Sequence, residues 1–553
     1  MFDMNRKLFS SLFTLIILAS AISLAFNVSK VVASGSIYIR ADGLVEGTDK
    51  IVSADDVTYV FTDNINDSII VERNNITIDG NGFTLNGSGL VVMFGFSLTS
   101  VSNVTIKSIN IRGFSSAGIF FSQSSLNTVS GNNVTDNYAG IWLDSSDNNT
   151  ISGNRIATNS WYGIYLDSSN HNNASENLIE GNSWHAIGLD SSSNNIINGN
   201  DIVENARRGI YLQLSSNNTI SNNDVETNGW CGIRLISSSD NILAGNNLRY
   251  NRDGIGIESN SDRNSVSRNN VTGNIITAIY DGIWLISSMN NTLSGNIVGN
   301  YTNGIAMWSC SNSNVIGNQL SNNIQGIFVH LSSANIFENT VTSNNVGFLL
   351  ENSSDNFVYH NNVIGNTVQA NVTSGFTNIW DNGYPYGGNY WSDYLGIDAN
   401  GDGIGDSPYV VNSNNQDNYP LMNPWTPIHD IAVTRVIFSK NVLVEGDCIN
   451  VSMTLRNEGS YPETFNVTLY AKMLHGKTWS IYTFTGVTLA LGSAKTLTIN
   501  GLGFPRGFYT LSAYAWPVSG ETHTTDNTYS SVTVLVAPFA HFCPWSYTRP
   551  VPM

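Results

Sequence analysis

Charged residues are scarce in this sequence, and basic residues are the scarcer of the two kinds. Only 12% of its 553 residues are charged, and 24 Lys and Arg against 42 Asp and Glu give a formal net charge of −18. An acidic chain without basic runs repels phosphate, which argues against a nucleic-acid partner. The four cysteines form no C-x-x-C pair, which argues against a zinc or thiol-redox motif and against a disulfide scaffold.

Proline is limited to 12 residues, and the residue in excess is asparagine, with 77 of 553. The asparagine amide competes for backbone hydrogen bonds, so the residue disfavours helices and strands and suits turns. The composition therefore argues against a helical protein and against an ordinary α/β enzyme. A hydrophobic content of 41% and an aromatic content of 10% argue against disorder, and the length allows two to four domains.

Residues 1–33 have the pattern of a signal peptide. Arg6 and Lys7 precede an apolar stretch from Leu8 to Phe26, and the segment 31–33 supplies small residues for cleavage. An uncleaved membrane anchor is the alternative, because the apolar stretch is long for a signal. No later segment is apolar enough to span a membrane, so we expect the chain to be secreted or held at the cell surface.

An internal repeat of about 22 or 23 residues extends over residues 101–379, after an expected cap and first coils at 36–100. The asparagine that ends each x-G-N turn, or a variant of it, recurs at Asn132, Asn154, Asn177, Asn200, Asn223, Asn246, Asn269, Asn296, Asn318, Asn339 and Asn361. A second asparagine usually follows five residues later, and a Gly before a branched apolar residue forms a third column, as at Gly163. The longer spacing between Asn269 and Asn296 predicts a loop insertion near residues 275–280.

Each repeat contains three short strands of alternating pattern and is too short to bury its own apolar face. It must therefore stack on its neighbours, with strands about 4.8 Å apart. The pattern predicts a parallel β-helix in which turn asparagines bond to each other along ladders. The recurring Gly is expected either to adopt a positive φ or to allow a close approach at a corner.

Two kinds of unit, Asn148-Asn-Thr-Ile-Ser-Gly-Asn154 and Gly163-Ile-Tyr-Leu-Asp-Ser-Ser169, resemble the right-handed β-helix family of NosD-type periplasmic proteins and of CASH (PbH1) repeats. The resemblance covers residues 36–425, and its opening segments look like those of archaeal surface proteins. It implies an all-β fold, a right-handed parallel β-helix, but the functions of the family are diverse. NosD is associated with copper, yet the eight His and nine Met are scattered here, and we expect no copper site.

One face of the predicted helix concentrates aromatic and charged side chains. In each Gly-Ile-x-Leu-y unit the Ile and Leu point inward, so positions x and y face solvent. Coils two to six, counted from the one that contains Phe120, contribute a candidate substrate-binding set: Trp142, Trp161, Tyr165, Trp184, His185, Arg207, Arg208, Tyr211 and Trp230. Exposed rings stack on sugar faces, and guanidinium and carboxylate groups hold hydroxyl or acid groups. The pattern predicts a polysaccharide groove on this face.

Asp144, Asp167 and Asp190 occupy position y of three consecutive coils and are the candidate catalytic residues. Carboxylates on adjacent coils would be about 5 Å apart and those on alternate coils about 10 Å apart. These separations lie near those of retaining and inverting glycosidases, respectively. The alternative is structural: each aspartate starts a turn, and its carboxylate accepts the backbone N–H groups that follow.

Residues 380–425 combine an aromatic segment, expected to cap the end of the β-helix, with an aspartate-rich loop. The loop 398–406 places oxygen ligands at alternate positions in the manner of a calcium-binding loop, with Gly403 at the turn: Asp398, Asn400, Asp402, the Ile404 carbonyl and Asp406. Position twelve is Tyr409 rather than Glu, so the loop is not a complete EF-hand and is closer to thrombospondin-type and dockerin-like loops. We expect a structural Ca²⁺ site, with Asp417 as a candidate additional ligand; an ordinary turn is the alternative.

The repeat stops before residue 428, and residues 428–536 contain seven longer alternating strands, which predict an antiparallel Ig-like sandwich. Segments 430–433, 455–459 and 465–470 resemble CARDB-type adhesion domains, which usually space or attach other domains. Residues 537–553 form a short tail. Cys448 and Cys543 are a candidate pair, whereas Cys231 and Cys310 should lie too far apart to pair.

The sequence therefore predicts an exported, cell-surface β-helix that binds a polysaccharide or surface glycan through coils two to six. Two alternatives remain open. The first is a structural or adhesive protein in which the solenoid is a rigid spacer, and the second is a polysaccharide lyase, hydrolase or epimerase.

Overall fold

The computed structural model describes residues 36–87, 94–274, 280–373, 375–426, 428–459, 462–474, 476–490 and 492–538. The predicted signal peptide, the predicted insertion at 275–279, Cys543 and most of the tail lie outside these residues. The chain divides into two compact units, residues 1–424 and 425–553. In the described part of the chain no helix is long and apolar enough to cross a membrane.

The first unit is a right-handed parallel β-helix, as predicted, and its described strands form three sheets. Sheet I contains Val45–Glu46, Ser36–Ile39, Ser68–Val71, Phe94–Thr99, Ala117–Ser122, Ala139–Asp144, Ile164–Asp167, Ile187–Asp190, Ile210–Gln213, Cys231–Ile236, Asp253–Glu258, Asp281–Ile286, Asn303–Trp308, Gln325–His330, Val346–Glu351 and Val368–Val372. Sheet II contains Ile51–Ser53, Thr58–Phe61, Ile76–Asp79, Val104–Lys107, Thr128–Ser130, Thr150–Ser152, Asn173–Ser175, Ile196–Asn198, Thr219–Ser221, Ile242–Ala244, Ser265–Ser267, Thr292–Ser294, Ser313–Ile316, Ala334–Phe337 and Phe357–Tyr359. Sheet III contains Thr84–Asn86, Asn110–Arg112, Asn133–Thr135, Arg155–Ala157, Leu178–Glu180, Asp201–Val203, Asp224–Glu226, Asn247–Arg249, Asn270–Thr272, Ile297–Gly299, Gln319–Ser321, Thr340–Thr342, Asn362–Ile364 and Tyr390–Trp391.

The apolar core is a set of aligned columns that run along the solenoid. Ile141 pairs in register with Ile164, and Leu143 pairs with Leu166, and these four side chains are almost completely buried. Because each coil repeats the same inward positions, one continuous core extends through the solenoid. This register is the one that the Gly-Ile-x-Leu-y pattern predicts.

Buried asparagines form ladders between the coils, as predicted for two columns. Asn154 donates its side-chain N–H to the Oδ1 of Asn177 at 3.0 Å, and the same Oδ1 accepts the Asn154 backbone N–H at 3.0 Å. A third column, which the sequence did not predict, begins with Asn127 and Asn149 and makes the same bonds. The ladders satisfy the buried polar groups of the turns, which would otherwise be costly to bury.

Of the two explanations predicted for the recurring Gly, a positive φ or a close approach, the structure shows the close approach. A Cβ on Gly140 would lie 2.5 Å from the carbonyl oxygen of Gly163, and the backbone φ of Gly140 is not positive. Positive φ values occur instead at the glycine of the turn, as at Gly153, with φ 64°. The two glycine positions of the repeat therefore serve different steric needs.

The C-terminal end of the first unit is closed by aromatic side chains and a short hairpin of Tyr409–Asn412 and Asn415–Asp417. Trp380 and Trp391 are fully buried, and the ring of Tyr409 stacks on Trp391 at 4.2 Å. Asp417 accepts hydrogen bonds from the Asn389 backbone at 2.7 Å and from the Trp391 Nε1 at 2.9 Å. Asp417 is thus a buried end of an asparagine ladder, with both carboxylate oxygens engaged in hydrogen bonds.

The second unit consists of two mainly antiparallel sheets around one apolar core. One sheet contains Ile431–Phe438, Cys448–Asn457 and Ala494–Gly503, and the other contains Val442–Val444, Thr528–Ala537, Gly507–Ala515, Glu463–Met473 and Thr478–Leu489. All seven predicted strands are present. The additional strand, Val442–Val444, pairs in parallel with Thr528–Ala537.

Candidate functional site: an aromatic strip and an acidic pocket on sheet I

The aromatic side chains of coils one to six form a continuous strip along sheet I, which we call the aromatic strip. Neighbouring rings of coils one to five lie between 4.4 and 6.0 Å apart by their centroids, and Trp230 of coil six joins them through Arg207, which lies 4.6 Å from its ring centroid. The strip consists of Phe120, Trp142, Trp161, Tyr162, Tyr165, Trp184, His185, Tyr211 and Trp230. Its rings come together because parallel pairing aligns position x of successive coils, as Trp142 with Tyr165.

The strip has an accessible outer layer and a buried inner layer, which corrects the expectation that all its members are exposed. Trp142, Trp161, Trp184, Arg207, Tyr211 and Trp230 are partly accessible. Tyr165, His185 and Arg208 are 9%, 1% and 8% exposed. The cause is Gly188: it has no side chain, and the ring of Tyr162 lies over the space that a Cβ would occupy. Tyr162 then stacks on Tyr165 at 4.7 Å and covers His185 at 5.2 Å.

Two arginines lie among the rings of the strip. Arg207 stacks on the outer rings, 3.3 Å from the centroid of Trp184 and 4.6 Å from that of Trp230. Arg208 lies beneath, 4.8 Å from the ring of Tyr211 and with its Nη1 3.2 Å from the Nε2 of His185. Burial, followed by the charge of Arg208, lowers the pKa of His185 to about 2, so its imidazole is neutral at physiological pH.

Asp144, Asp167 and Asp190 form one column beside the strip, in the predicted register. The hydroxyl of Ser145 donates to the carboxylate of Asp144 at 3.1 Å, and the corresponding serines do the same for the other two. The backbone N–H of Ser145 instead donates to the carbonyl of Asp167 in the next coil. The carboxylates of the column therefore accept serine hydroxyls, and the Ser145 backbone N–H, which the structural alternative expected Asp144 to accept, is bonded elsewhere.

An acidic pocket further along sheet I was not predicted from the sequence. It has a volume of about 450 Å³ and is lined by Asp253, Asp281, Trp284, Ile286 and Trp308. The two aspartates are on adjacent coils, and the backbone N–H of Asp281 donates to the Oδ1 of Asp253 at 3.3 Å. Burial raises the pKa of both carboxyl groups, that of Asp281 to about 6. A carboxyl group with this pKa is suited to proton transfer near neutral pH.

The acidic pocket is next to the aromatic strip. Arg234, in the coil after Tyr211, lies 5.3 Å from the ring of Trp284. Its guanidinium forms a salt bridge with Glu258 at 2.6 Å. A sequence signal for the pocket exists: Asp253 and Asp281 both stand immediately before the recurring Gly, where the other coils of the strip have aromatic, basic or small residues.

The loop 398–406 has the hydrogen bonding of a compact aspartate turn. Asp398 accepts the backbone N–H of Gly401 at 2.6 Å and that of Gly403 at 2.9 Å. The Asp402 carboxylate accepts the N–H of Ile404 at 2.9 Å, and Asp406 accepts that of Ala399 at 2.8 Å. The side chains of the predicted ligands, that of Asn400 included, therefore lie within one hydrogen-bonded turn.

Two family models match the first unit. Residues 57–202 match the right handed beta helix region, and residues 157–281 and 265–396 match NosD, the periplasmic copper-binding protein. The right-handed β-helix of this chain is therefore similar to NosD over residues 157–396. No curated protein matches the chain significantly in sequence.

Solved structures similar to the NosD-like solenoid include three proteins of low sequence identity. The mannuronan C-5 epimerase AlgE6 A-module of Azotobacter vinelandii is 18% identical, with 51% of this chain and 75% of that chain covered and a TM-score of 0.37. The periplasmic alginate epimerase AlgG is 17% identical, with 54% and 83% covered and a TM-score of 0.34. The DFA-IIIase of Arthrobacter chlorophenolicus A6 is 14% identical, with 55% and 90% covered and a TM-score of 0.39. At these identities the similarity concerns the fold alone.

His, Cys and carboxylate side chains are not clustered in the way that a metal site requires in the described residues of the solenoid. Copper requires clustered His, Met or Cys ligands. Among the residues that the structure describes in this unit, no three His, Cys, Asp or Glu side chains bring their ligand atoms within 4.8 Å of one another. His185 contacts Arg208, and His360 contacts the carbonyl oxygen of Tyr386.

Proposed function

We propose that the chain is an exported protein that binds a polysaccharide along the aromatic strip of its β-helix. The observation that carries the proposal is the continuity of the strip: contacting rings follow one another over five coils in the direction of the solenoid axis, and Arg207 joins Trp230 of the sixth coil to them. Coils repeat about every 4.8 Å, so an extended polymer would meet equivalent rings at regular intervals.

The outer layer of the strip supplies the chemistry that a sugar polymer requires. The indole faces of Trp161, Trp184 and Trp230 offer apolar surface to sugar rings, and indole N–H groups bind hydroxyls. Asp144, Asp167 and Asp190 form a parallel row of hydrogen-bond acceptors beside these rings. Because the inner layer is closely packed beneath, the outer rings are held in place before the ligand binds, which lowers the entropic cost of binding.

Affinity electrophoresis of the full chain in gels containing defined polysaccharides tests this function. We expect at least one polymer to retard the wild-type chain, and Trp161→Ala and Trp184→Ala each to weaken binding by about tenfold or more. Trp479→Ala, which removes a 43% exposed tryptophan in the second unit, is the matched control and should bind as the wild type does. If no polymer retards the wild type, or if Trp479→Ala loses binding to the same extent as the strip variants, binding along the strip is contradicted. The solenoid would then be a structural spacer.

A second function, cleavage or modification of the bound polymer, is favoured by the acidic pocket. Asp281 is a candidate general acid, since its carboxyl group titrates near neutral pH, and Asp253 is the candidate second carboxylate. Trp284 and Trp308 would hold a sugar ring against these groups. Aspartates on adjacent coils are about 5 Å apart, the separation that double-displacement glycoside cleavage requires.

Activity assays on every polymer that the chain binds test this second function. New reducing ends or a change in sugar composition should appear with the wild type, and Asp281→Asn should lower the rate by at least about 100-fold. Asp240→Asn, which removes a carboxylate paired with Arg263 outside the strip and the pocket, is the control and should leave the rate within about twofold. A bound polymer that emerges chemically unchanged would restrict the protein to binding.

A further inference from the structure

The guanidinium of Arg208 is buried without an anionic partner. Only 8% of the residue is exposed, and its Nε has no hydrogen-bond partner. Among the described residues no carboxylate lies within 4.0 Å of its nitrogens, whereas Arg155, Arg234, Arg249 and Arg263 all have such partners. An arginine buried to this extent is normally paired, because an uncompensated buried charge is strongly destabilising.

His185 does not satisfy this guanidinium either. The Nδ1 of His185 lies 3.1 Å from the backbone N–H of Arg208, and its Nε2 lies 3.2 Å from the Nη1 of the same residue. A neutral imidazole has a single acceptor nitrogen, so it accepts from only one of these two donors. When Nδ1 accepts the fixed backbone N–H, Nε2 carries the proton and faces the guanidinium as a second donor. Arg208 thus has at least two N–H groups without an acceptor.

The charges around Arg208 are mostly positive as well, although Glu258 acts on it in the opposite sense. Arg207 lies on the rings of Trp184 and Trp230, and the ring of Trp230 is also 4.9 Å from Arg208; the charge of Arg207 contributes to the low pKa of His185. Arg234 contributes in the same direction, although Glu258 pairs with it. The strip therefore contains a local positive centre in a chain whose net charge is −18.

We propose that Arg208 is an anion-binding subsite within the aromatic strip and that the polysaccharide bound there carries carboxylate or sulfate groups. This inference rests on the proposed binding function and names its substrate class. A planar or tetrahedral oxyanion supplies the acceptors that the guanidinium lacks, in the paired geometry that arginine favours. Because anion binding also compensates the buried charge, an acidic sugar gains binding free energy that a neutral sugar does not.

Binding of three polymers to the full chain tests the proposal: polygalacturonate for carboxylate, dextran sulfate for sulfate, and dextran as the neutral reference. We expect the wild type to bind one of the charged polymers at least about tenfold more tightly than dextran at physiological ionic strength. Arg208→Gln should abolish this preference. Arg155→Gln, which removes an arginine paired with Glu180 on sheet III, should retain it. Comparison of polygalacturonate with dextran sulfate shows whether the site binds a carboxylate or a sulfate group.

Thermal unfolding without ligand shows whether Arg208 is instead a structural residue. If the residue is kept for anion binding, Arg208→Gln has a melting temperature equal to or above that of the wild type, since an unpaired charge has been removed. A lower melting temperature together with an unchanged charge preference would overturn the proposal.

The failure of the subsite and that of the proposed function have different signatures. Equal affinity of the wild type for dextran and the charged polymers overturns the subsite and leaves polysaccharide binding intact. If no polymer binds, the ¹⁵N NMR signal of the Arg208 Nε–H is followed during titration with galacturonate and with inorganic sulfate. A change in chemical shift that saturates would support an anion site that does not bind a polymer. If the chemical shift does not change, the anion site is overturned as well.

Discussion

Burial changes the chemistry of individual residues on sheet I in opposite directions. His185 loses its basicity inside the strip, where its pKa falls to about 2 because of burial and the charge of Arg208. Asp281 loses acidity in the neighbouring pocket, where burial raises its pKa to about 6. In both cases the neutral form is favoured, because a low-dielectric environment disfavours charge.

The raised pKa of Asp281 predicts a pH-dependent gain in stability when the charge is removed. Folding raises this pKa from 3.8 to about 6, so the folded state holds the proton more tightly, and stability falls as the pH rises through this window. Asp281→Asn keeps the bond from Asn303 and should be more stable than the wild type by about 3 kcal/mol at pH 7.5, with no difference below about pH 3. Denaturant unfolding at both pH values measures this.

Asp240→Asn is the control for this measurement. Arg263 donates to Asp240 and lowers its pKa, so the sign of the effect reverses and the variant should be no more stable than the wild type. An Asp281→Asn variant that is equally stable or less stable at pH 7.5 would contradict the assignment of a buried, destabilising charge.

The sequence predicts register on sheet I but not burial. Position x of each coil does align with that of its neighbours, as the Gly-Ile-x-Leu-y pattern requires. Whether such a side chain remains exposed depends on the residues in adjacent coils. Gly188 leaves room for Tyr162 to cover His185, and this long-range effect has no signature within a single repeat.

At the scale of the element, the asparagine ladder replaces part of the hydrophobic stabilisation that short strands lack. Asn200 shows the pattern: it accepts from Asn177 and donates to Asn223 at 2.9 Å, and it is fully enclosed. Two of the three asparagine columns could be predicted, because they follow the x-G-N turn at fixed spacing. The third was missed because its asparagines lie in Ser- and Asn-rich turns, where composition alone does not distinguish a buried amide from an exposed one.

Loss of one asparagine side chain from a ladder is expected to be strongly destabilising. Asn200→Ala leaves the buried backbone and side-chain N–H groups of Asn177 without their acceptor and should lower the free energy of unfolding by about 3 kcal/mol. Asn335→Ala, in an exposed position of sheet II, should change it by less than about 0.5 kcal/mol. Chemical denaturation of both variants measures the difference, and equal effects would contradict a structural role for the ladder.

The loop 398–406 carries the second prediction at this scale, a structural Ca²⁺ site. Carboxylate, amide and carbonyl oxygens in this spacing suit Ca²⁺, and we expect the wild-type chain to bind it with a dissociation constant of about 1 mM or below. The double variant Asp398→Asn and Asp402→Asn should not bind, while Asp240→Asn should bind normally. Isothermal titration calorimetry measures Ca²⁺ binding by the three proteins. Absence of binding heat for the wild type at millimolar Ca²⁺ would identify the loop as an ordinary turn.

At the scale of the whole molecule, periodicity carries most of the predictable information. The fold class follows from the repeat, since a 22- or 23-residue unit with three strands buries its core only by stacking. The acidic pocket does not follow from it, because the pocket arises where Asp253 and Asp281 depart from the residues usual before the recurring Gly. Function in such a solenoid therefore has to be sought where the repeat is broken.

The most direct test of binding along the strip is a crystal structure of the full chain with an oligosaccharide from the polymer that it binds best. The account predicts sugar rings over Trp161, Trp184 and Trp230, in line with the solenoid axis, with an acid group at Arg208. An oligosaccharide bound on another sheet or in the second unit, with the strip bare, would contradict the central claim.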